Sequence, residues 1–96
     1  MIVTGTDEER AATQKRILNR LRRAQGQLGA VIAAVERGGS CRDVVTQLSA
    51  VTSALDRAGF AIIATAMRDC MVDPEGAADA EGLTSDEVEK LFLSLA

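Results

Sequence analysis

One stretch of the chain, from Ser40 to Asp73, constrains the fold more than any other. Ser40 and Asp43 have the spacing of a capping box that opens a helix, and Pro74 disfavours helical geometry at Asp73. Apolar residues inside the stretch are spaced alternately four and three positions apart: Val44, Leu48, Val51, Leu55, Ala58 and Ile62. This spacing is typical of a helix that packs along its length against other helices. The sequence therefore predicts one long helix here.

A second long helix precedes this stretch. Its capping box is Thr6 to Glu9, and the helix is predicted to continue to about Arg37. Its apolar positions have the same four-and-three spacing: Ile17, Leu21, Ala24, Leu28, Val31 and Val35. Gly26 and Gly29 interrupt it, and a close helix contact is expected to explain them. Gly38-Gly39 end the helix, and so short a connection predicts that the two helices lie antiparallel.

The C-terminal part of the chain is predicted to be a loop followed by a short helix. Residues Glu75 to Gly82 are small and acidic, which is typical of a loop. Thr84 to Glu87 is a third capping box, and it opens a helix from Ser85 to Leu95. One face of that helix is apolar and is expected to dock on the long pair: Val88, Leu91, Phe92 and Leu95. The fold class is therefore all-α, a single domain over residues 1–96 with three helices.

Long apolar stripes in a chain of 96 residues also favour an oligomer. The chain is 47% apolar, yet it has no Trp, no Tyr and two Phe, so its own core must be modest. Partner chains are expected to cover what one subunit cannot bury. The predicted assembly is an antiparallel dimer.

The two cysteines of the chain, Cys41 and Cys70, lie at opposite ends of the second helix. Their separation of 29 positions corresponds to ~43 Å along a helix and to ~20° around it. Two such helices packed antiparallel would bring Cys41 of one subunit beside Cys70 of the other. The helix N-terminus and Arg42 favour a thiolate at Cys41, which is expected to attack first, with Cys70 as its resolving partner. That both are ordinary buried cysteines remains open.

Basic residues are concentrated on the first helix. The chain has a net charge of −3, but residues 10–68 carry ten basic and three acidic side chains. Arg16, Arg20 and Arg23 form a stripe that Lys15 flanks, and Arg57 lies on the second helix away from the thiol face. These five residues are the candidate nucleic-acid contacts; a solvated face without a partner is the alternative. Because no aromatic residue accompanies them, single-stranded nucleic acid is disfavoured.

Several function classes are excluded or disfavoured. The chain has no histidine, which removes His-dependent zinc, nickel and cobalt sites, although two thiolates could hold Cu(I). No catalytic triad, P-loop or nucleophile elbow is present, so neither an enzyme nor a cofactor is expected. The N-terminus does not resemble a signal peptide, and the most apolar stretch, Ala58 to Met67, is short for a membrane span. A cytoplasmic protein is expected.

Four segments resemble the CsoR/RcnR family of bacterial repressors: NRLRRAQGQ at 19–27, SCRDVVTQLSAV at 40–51, ALDR at 54–57, and Cys70. The resemblance implies an all-helical protein that forms antiparallel dimers and tetramers and binds double-stranded operator DNA. It places the DNA-contacting arginines on Arg20 and Arg57. It places the sensing cysteines on Cys41 and Cys70, contributed across the dimer.

The resemblance also bears on the inducer. Copper-sensing members carry a histidine where this chain has Ala66 and a tyrosine where it has Ser40. The chain looks more like the CstR branch, which senses persulfides and polysulfides. We therefore expect a repressor that binds DNA when reduced and is released when reactive sulfur species bridge Cys41 to Cys70 of the partner. The alternatives are a repressor that holds Cu(I) with two thiolates, and a helical scaffold or metal-buffering protein that binds no DNA.

Overall fold

The computed structural model describes residues 5–82 and 84–95, which form four helices. Two are long: α1 spans Asp7–Glu36 and α2 spans Cys41–Val72. Two are short: α3 spans Pro74–Glu81 and α4 spans Ser85–Leu95. No strand occurs in these two ranges. The all-α prediction with two long helices and a short C-terminal helix is confirmed, but the helix count is four and not three.

Side-chain caps set the helix boundaries that the sequence predicts. The Thr6 hydroxyl accepts a hydrogen bond from the backbone N–H of Glu9 at 3.1 Å, and the Ser40 hydroxyl accepts one from Asp43 at 3.2 Å. These bonds satisfy amides that the first turn of a helix leaves without partners. Gly38 takes a left-handed φ of 70° between the two helices, a conformation that glycine adopts without strain. α1 and α2 are consequently joined by four residues.

The prediction of a loop over Glu75 to Gly82 was wrong, because α3 occupies this segment. Pro74 stands in the first turn of α3, where its missing N–H costs nothing. The Asp73 side chain accepts a hydrogen bond from the backbone N–H of Gly76 at 3.1 Å, and Gly82 closes the helix with φ 64°. A Cβ at position 76 would collide with the Asp73 carboxylate. The acidic, glycine-containing composition concealed a capped helix that packs against α2.

α1 and α2 form an antiparallel pair that is one layer thick. The subunit measures 52 × 28 × 14 Å between its outermost Cα positions. α1 buries Ile17, Ala24, Val31 and Ala34, and α2 buries Val51 and Ala58 in its central part. Except for Ala34, these buried residues are every second position of the predicted stripes. Five of the remaining stripe positions are 37–60% exposed: Leu21, Leu28, Val35, Leu48 and Leu55. One neighbouring helix covers only half of a four-and-three stripe.

The exposed surface is large for a chain of this mass. A folded 10.1 kDa monomer exposes about 5,300 Å² by the usual scaling, whereas this subunit exposes 6658 Å². Gly26 and Gly29 belong to this open surface, because nothing in the described structure would come within 4 Å of a Cβ at either position. The expectation of a close helix contact at these glycines is therefore not met within the subunit.

α4 docks on the second half of α2, as predicted. Val88 is 1% exposed and packs with Ile63 and Cys70. The rings of Phe60 and Phe92 lie 5.7 Å apart between centroids, in a tilted arrangement that aromatic pairs favour. This docking creates the surroundings of Cys70.

α2 also satisfies the length and composition of a membrane-spanning helix, with a mean hydropathy of 1.2 in its most apolar window. The stretch Ala58 to Met67, which is too short for a membrane span, is only part of this apolar region of α2. The core helix of a soluble bundle passes the same test. Asp56 and Arg57 lie at the middle of α2, and the helix packs against α1, α3 and α4, which fits a bundle.

Candidate functional site

A basic groove runs along one face of the α1–α2 pair. Its first part is a cavity of about 820 Å³ lined by Arg20, Arg23, Gln27, Ala50, Ser53, Ala54 and Arg57. Its second part is a cavity of about 310 Å³ lined by Thr13, Arg16, Ile17, Arg20, Ala61, Ala64, Thr65 and Arg68. Arg20 lines both parts, so they adjoin. We call the two cavities together the arginine groove.

Helical periodicity explains why the groove is both basic and open. On α2 the lining residues recur every three or four positions and so occupy one stripe. Apart from Thr65 and the two arginines, every α2 residue of that stripe is alanine or serine. Small side chains leave a shallow floor on which the long arginines of α1 can lie. A rigid polyanion could approach this floor closely.

The charge of the arginine groove is not neutralised within the described residues. No Asp or Glu lines either cavity. None of the five arginines, Arg16, Arg20, Arg23, Arg57 and Arg68, takes part in an ion pair there. All five are exposed. A row of exposed guanidinium groups without ion-pair partners is suited to binding phosphates, which arginine contacts through two parallel N–H donors.

Four of the five predicted DNA contacts line the groove. Arg16, Arg20 and Arg23 lie on its α1 side and Arg57 on its α2 side, whereas Lys15 is exposed and lines neither cavity. Arg68 was not predicted. It follows Arg57 by 11 positions, which is ~20° around a helix. Periodicity measured from Arg57 would have found it.

The two thiols lie at opposite ends of α2, as predicted. Cys41 is the first residue of the helix and is exposed, whereas Cys70 is buried near its last turn. The helix is continuous between them over 32 residues, so they do not meet within one subunit. By helical geometry, Cys41, Leu48 and Leu55 share the side of α2 opposite Arg57. Cys41 therefore lies on the exposed apolar face, away from the groove.

Cys70 lines an apolar cavity of about 410 Å³ between α2 and α4. Its lining consists of Met67, Cys70, Met71, Ser85, Glu89 and Phe92. The cavity contains two thioethers within one helical turn of the Cys70 thiol, and thioethers and thiolates are both soft ligands. Ala66 contacts the cluster of Ile63, Cys70 and Val88, so position 66 faces the surroundings of the thiol. Among the described residues, no three His, Cys, Asp or Glu side chains are grouped as a metal site within the subunit.

A family model described as "Metal-sensitive transcriptional repressor" matches residues 13–94 of this chain. The chain belongs to this family. The match covers α2, α3, all but the first six residues of α1 and all but the last residue of α4. The resemblance noted from the residues of α1 and α2 is confirmed at this level. The family is one of transcriptional repressors and not of enzymes.

Two of the similar proteins are named as copper-sensing repressors. The chain is 42% identical over 65 residues to the "Copper-sensing transcriptional repressor CsoR" of Mycobacterium ulcerans, covering 68% of this chain and 51% of that protein. It is 32% identical over 80 residues to the CsoR of Mycobacterium tuberculosis, covering 79% and 67%. It is 38% identical over 61 residues to the "Uncharacterized protein YrkD" of Bacillus subtilis, covering 62% and 97%.

The chain thus spans only about half the length of the M. ulcerans protein. No solved structure matches the chain significantly. None of these three similar proteins is named as a persulfide sensor.

Proposed function

We propose that this protein is a cytoplasmic transcriptional repressor that binds double-stranded operator DNA through the arginine groove. The observation that carries the proposal is that five arginines share one groove with no carboxylate in its lining. Phosphate neutralisation by arginine supplies much of the affinity of proteins for DNA. The acidic net charge does not oppose this, because the acidic residues lie outside the groove.

The repressor acts as an oligomer, with a dimer as its unit. A subunit one layer thick exposes the apolar face of Leu48 and Leu55, and that face also carries Cys41. Antiparallel packing of two α2 helices through this face covers the leucines and brings Cys41 of one subunit to Cys70 of the other. The proposed effector site is this pair of thiols, formed twice in a two-fold dimer.

The first candidate effector is Cu(I). Two observations support it: the named relatives are copper-sensing repressors, and Met67 and Met71 line the same cavity as Cys70. Two thiolates from two subunits, with a thioether beside them, form a donor set that suits a soft monovalent ion.

The second candidate effector is a reactive sulfur species, and Ala66 favours it. The methyl group of Ala66 offers no metal ligand beside Cys70. In this reaction the Cys41 thiolate attacks a terminal sulfur of tetrasulfide, forms a persulfide and releases trisulfide. The Cys70 thiolate then attacks the Cys41 sulfur, forms a disulfide and displaces hydrosulfide. Two thiols are oxidised, and sulfane sulfur is reduced to sulfide.

One experiment tests the repressor and separates the two effectors. Reduced protein is used to select a double-stranded operator from a random library, and release from that operator is followed by fluorescence anisotropy. Cu(I) and tetrasulfide are added in separate titrations, and intact masses are measured without reductant. Release by Cu(I) without covalent change supports the first candidate. Release by tetrasulfide with a covalently joined dimer supports the second.

Cys41→Ser is the control. This variant should bind the operator as the wild type does and should fail to release it with either effector. If selection enriches no double-stranded sequence, the repressor function is wrong. If Cys41→Ser releases DNA normally, the thiol site is wrong.

A further inference from the structure

We infer that Arg68 contacts a DNA phosphate and that its helical turn transmits the state of Cys70 to the DNA. The inference rests on the proposed function and adds to it a residue and a route. Arg68 was not among the contacts that the sequence predicts, and it lies in the second part of the arginine groove.

The position of Arg68 suits a phosphate contact. It lines one cavity with Arg16 and Arg20, and Ala61 and Ala64 form the floor beside it. Its separation from Arg57 is ~16 Å along α2, because a helix rises ~1.5 Å per residue. At ~3.4 Å per nucleotide along one strand, this distance spans about five nucleotides. Arg68 therefore extends the basic surface beyond the reach of Arg57.

The charge of Arg68 is open to an external anion. The side chain is exposed and is not ion-paired within the described residues. Asp69, the next residue, is 2% exposed and lines neither cavity of the groove. The Thr65 hydroxyl, which lines the same cavity, donates to the carbonyl oxygen of Ala61 at 2.9 Å.

The turn that carries Arg68 also carries Cys70. The two residues are ~160° apart around α2, so they face opposite neighbours. Arg68 faces the groove that α1 borders, whereas Cys70 packs with Ile63 and with Val88 of α4. A hydrogen-bonded helical turn moves as one body. A shift that accommodates a new bond or ion at Cys70 must therefore also move Arg68.

The required movement is small. Helix shifts of about 1–2 Å are common in allosteric transitions. A hydrogen bond between arginine and phosphate spans about 2.7–2.9 Å between donor and acceptor. A helix shift of about 1–2 Å therefore separates the two groups enough to break it. A change at the thiol site thus weakens DNA binding at Arg68.

The first test compares Arg68→Gln, Arg68→Lys and Arg42→Gln on the selected operator. Arg42 is an exposed arginine of α2 that lines neither cavity, so it controls for the loss of one charge. Arg68→Gln should weaken binding about tenfold and reduce the slope of log affinity against log salt by about 1.8, because a dimer loses two phosphate contacts of about 0.9 each. Arg68→Lys should restore most of the affinity. If Arg68→Gln matches Arg42→Gln in affinity and slope, Arg68 is not a phosphate contact.

The second test asks whether the state of Cys70 reaches the DNA through Arg68. The release factor is the ratio of operator affinities without and with the effector, measured with Cu(I) and with tetrasulfide. If the effector acts by removing the Arg68 contact, the release factor of Arg68→Gln should be about tenfold smaller than that of the wild type. Equal release factors overturn the route. Absence of release from the wild type overturns it as well, since there is then no thiol signal to transmit.

These outcomes separate the inference from the proposed function. A wild type that binds no selected DNA defeats both. A wild type that binds the operator and depends on Arg20, but is indifferent to Arg68, defeats the inference alone.

Discussion

Arg68 and Cys70 are two residues apart on α2, yet Arg68 lines the arginine groove and Cys70 lies in the apolar cluster beneath α4. A candidate sensing thiol and a candidate DNA contact thus occupy opposite sides of one helical turn. At the other end of α2, Cys41 is exposed on the apolar face that we assign to the dimer. The same helix therefore carries both thiols, the proposed dimer face and part of the proposed DNA surface.

Charge reversal in the arginine groove should abolish DNA binding. The double variant Arg20→Glu with Arg57→Glu places carboxylates where phosphates are expected, and operator affinity should fall by about 100-fold or more. Gel shift and anisotropy measure the loss, and circular dichroism should show unchanged helix content. The matched control is Arg22→Glu with Arg42→Glu, which makes the same charge change outside the groove. An equal loss in the control would mean that net charge, and not the groove, governs binding.

Charges on the apolar face should break the dimer. Leu48 and Leu55 are 47% and 50% exposed in the subunit, and a stable interface would bury them. Leu48→Glu with Leu55→Glu should shift the protein toward monomer in sedimentation velocity, because the interface would bury four unpaired carboxylates. Thr46→Glu with Ser53→Glu, on the opposite side of α2, should leave the assembly intact. A wild type that sediments as a monomer would remove the basis for a shared thiol site.

The packing of α4 on Cys70 should depend on Val88. This side chain is 1% exposed, and Val88→Ala removes two carbon atoms from a closed cluster. The free energy of unfolding should fall by about 2 kcal/mol from lost burial and the residual cavity. Urea denaturation at fixed protein concentration in excess reductant measures the change. Leu93→Ala, at a position 62% exposed, should change stability by no more than about 0.5 kcal/mol. Equal effects of the two substitutions would mean that α4 does not pack as described.

A histidine at position 66 should strengthen Cu(I) binding. Positions 66 and 70 are four residues apart and therefore neighbours on one helix face, so Ala66→His adds an imidazole beside the Cys70 thiol. Competition with a Cu(I) chelator should show an affinity gain of about tenfold or more, with operator binding by the metal-free protein unchanged. Ala64→His is the control, because Ala64 lines the arginine groove and not the thiol cluster. If both histidines act alike, Cys70 does not hold the metal.

The helices themselves were largely predictable, because their signals are local. The caps at Thr6, Ser40 and Thr84 each lie three residues before the N–H that they bind, so the sequence alone locates these helix starts. α3 was missed for two reasons. Its N-cap is Asp73, a residue that also ends α2, and its composition is typical of a loop. Local patterns predict a helix less well when it is short and stabilised by packing.

The candidate site was predictable in part. Helical spacing placed Arg16, Arg20 and Arg23 on one stripe and separated Arg57 from the thiol face. Arg68 was overlooked because periodicity was not followed along α2 from Arg57, although the two residues are only ~20° apart around the helix. Helical spacing also gave no reason to consider the thioethers of Met67 and Met71 as copper ligands. They become candidates only because the structure shows that they line the same cavity as Cys70.

The sequence by itself determined the helices, their caps, the antiparallel order of the long pair and the distance between the thiols, because each depends on contacts within a few residues or on helix length. The tertiary structure alone decided which half of each apolar stripe is buried, which arginines share a groove, and that Cys70 is buried while Cys41 is exposed. These properties depend on how α1 and α4 are rotated against α2. That rotation is set by side-chain packing between residues far apart in the chain, which no local pattern contains.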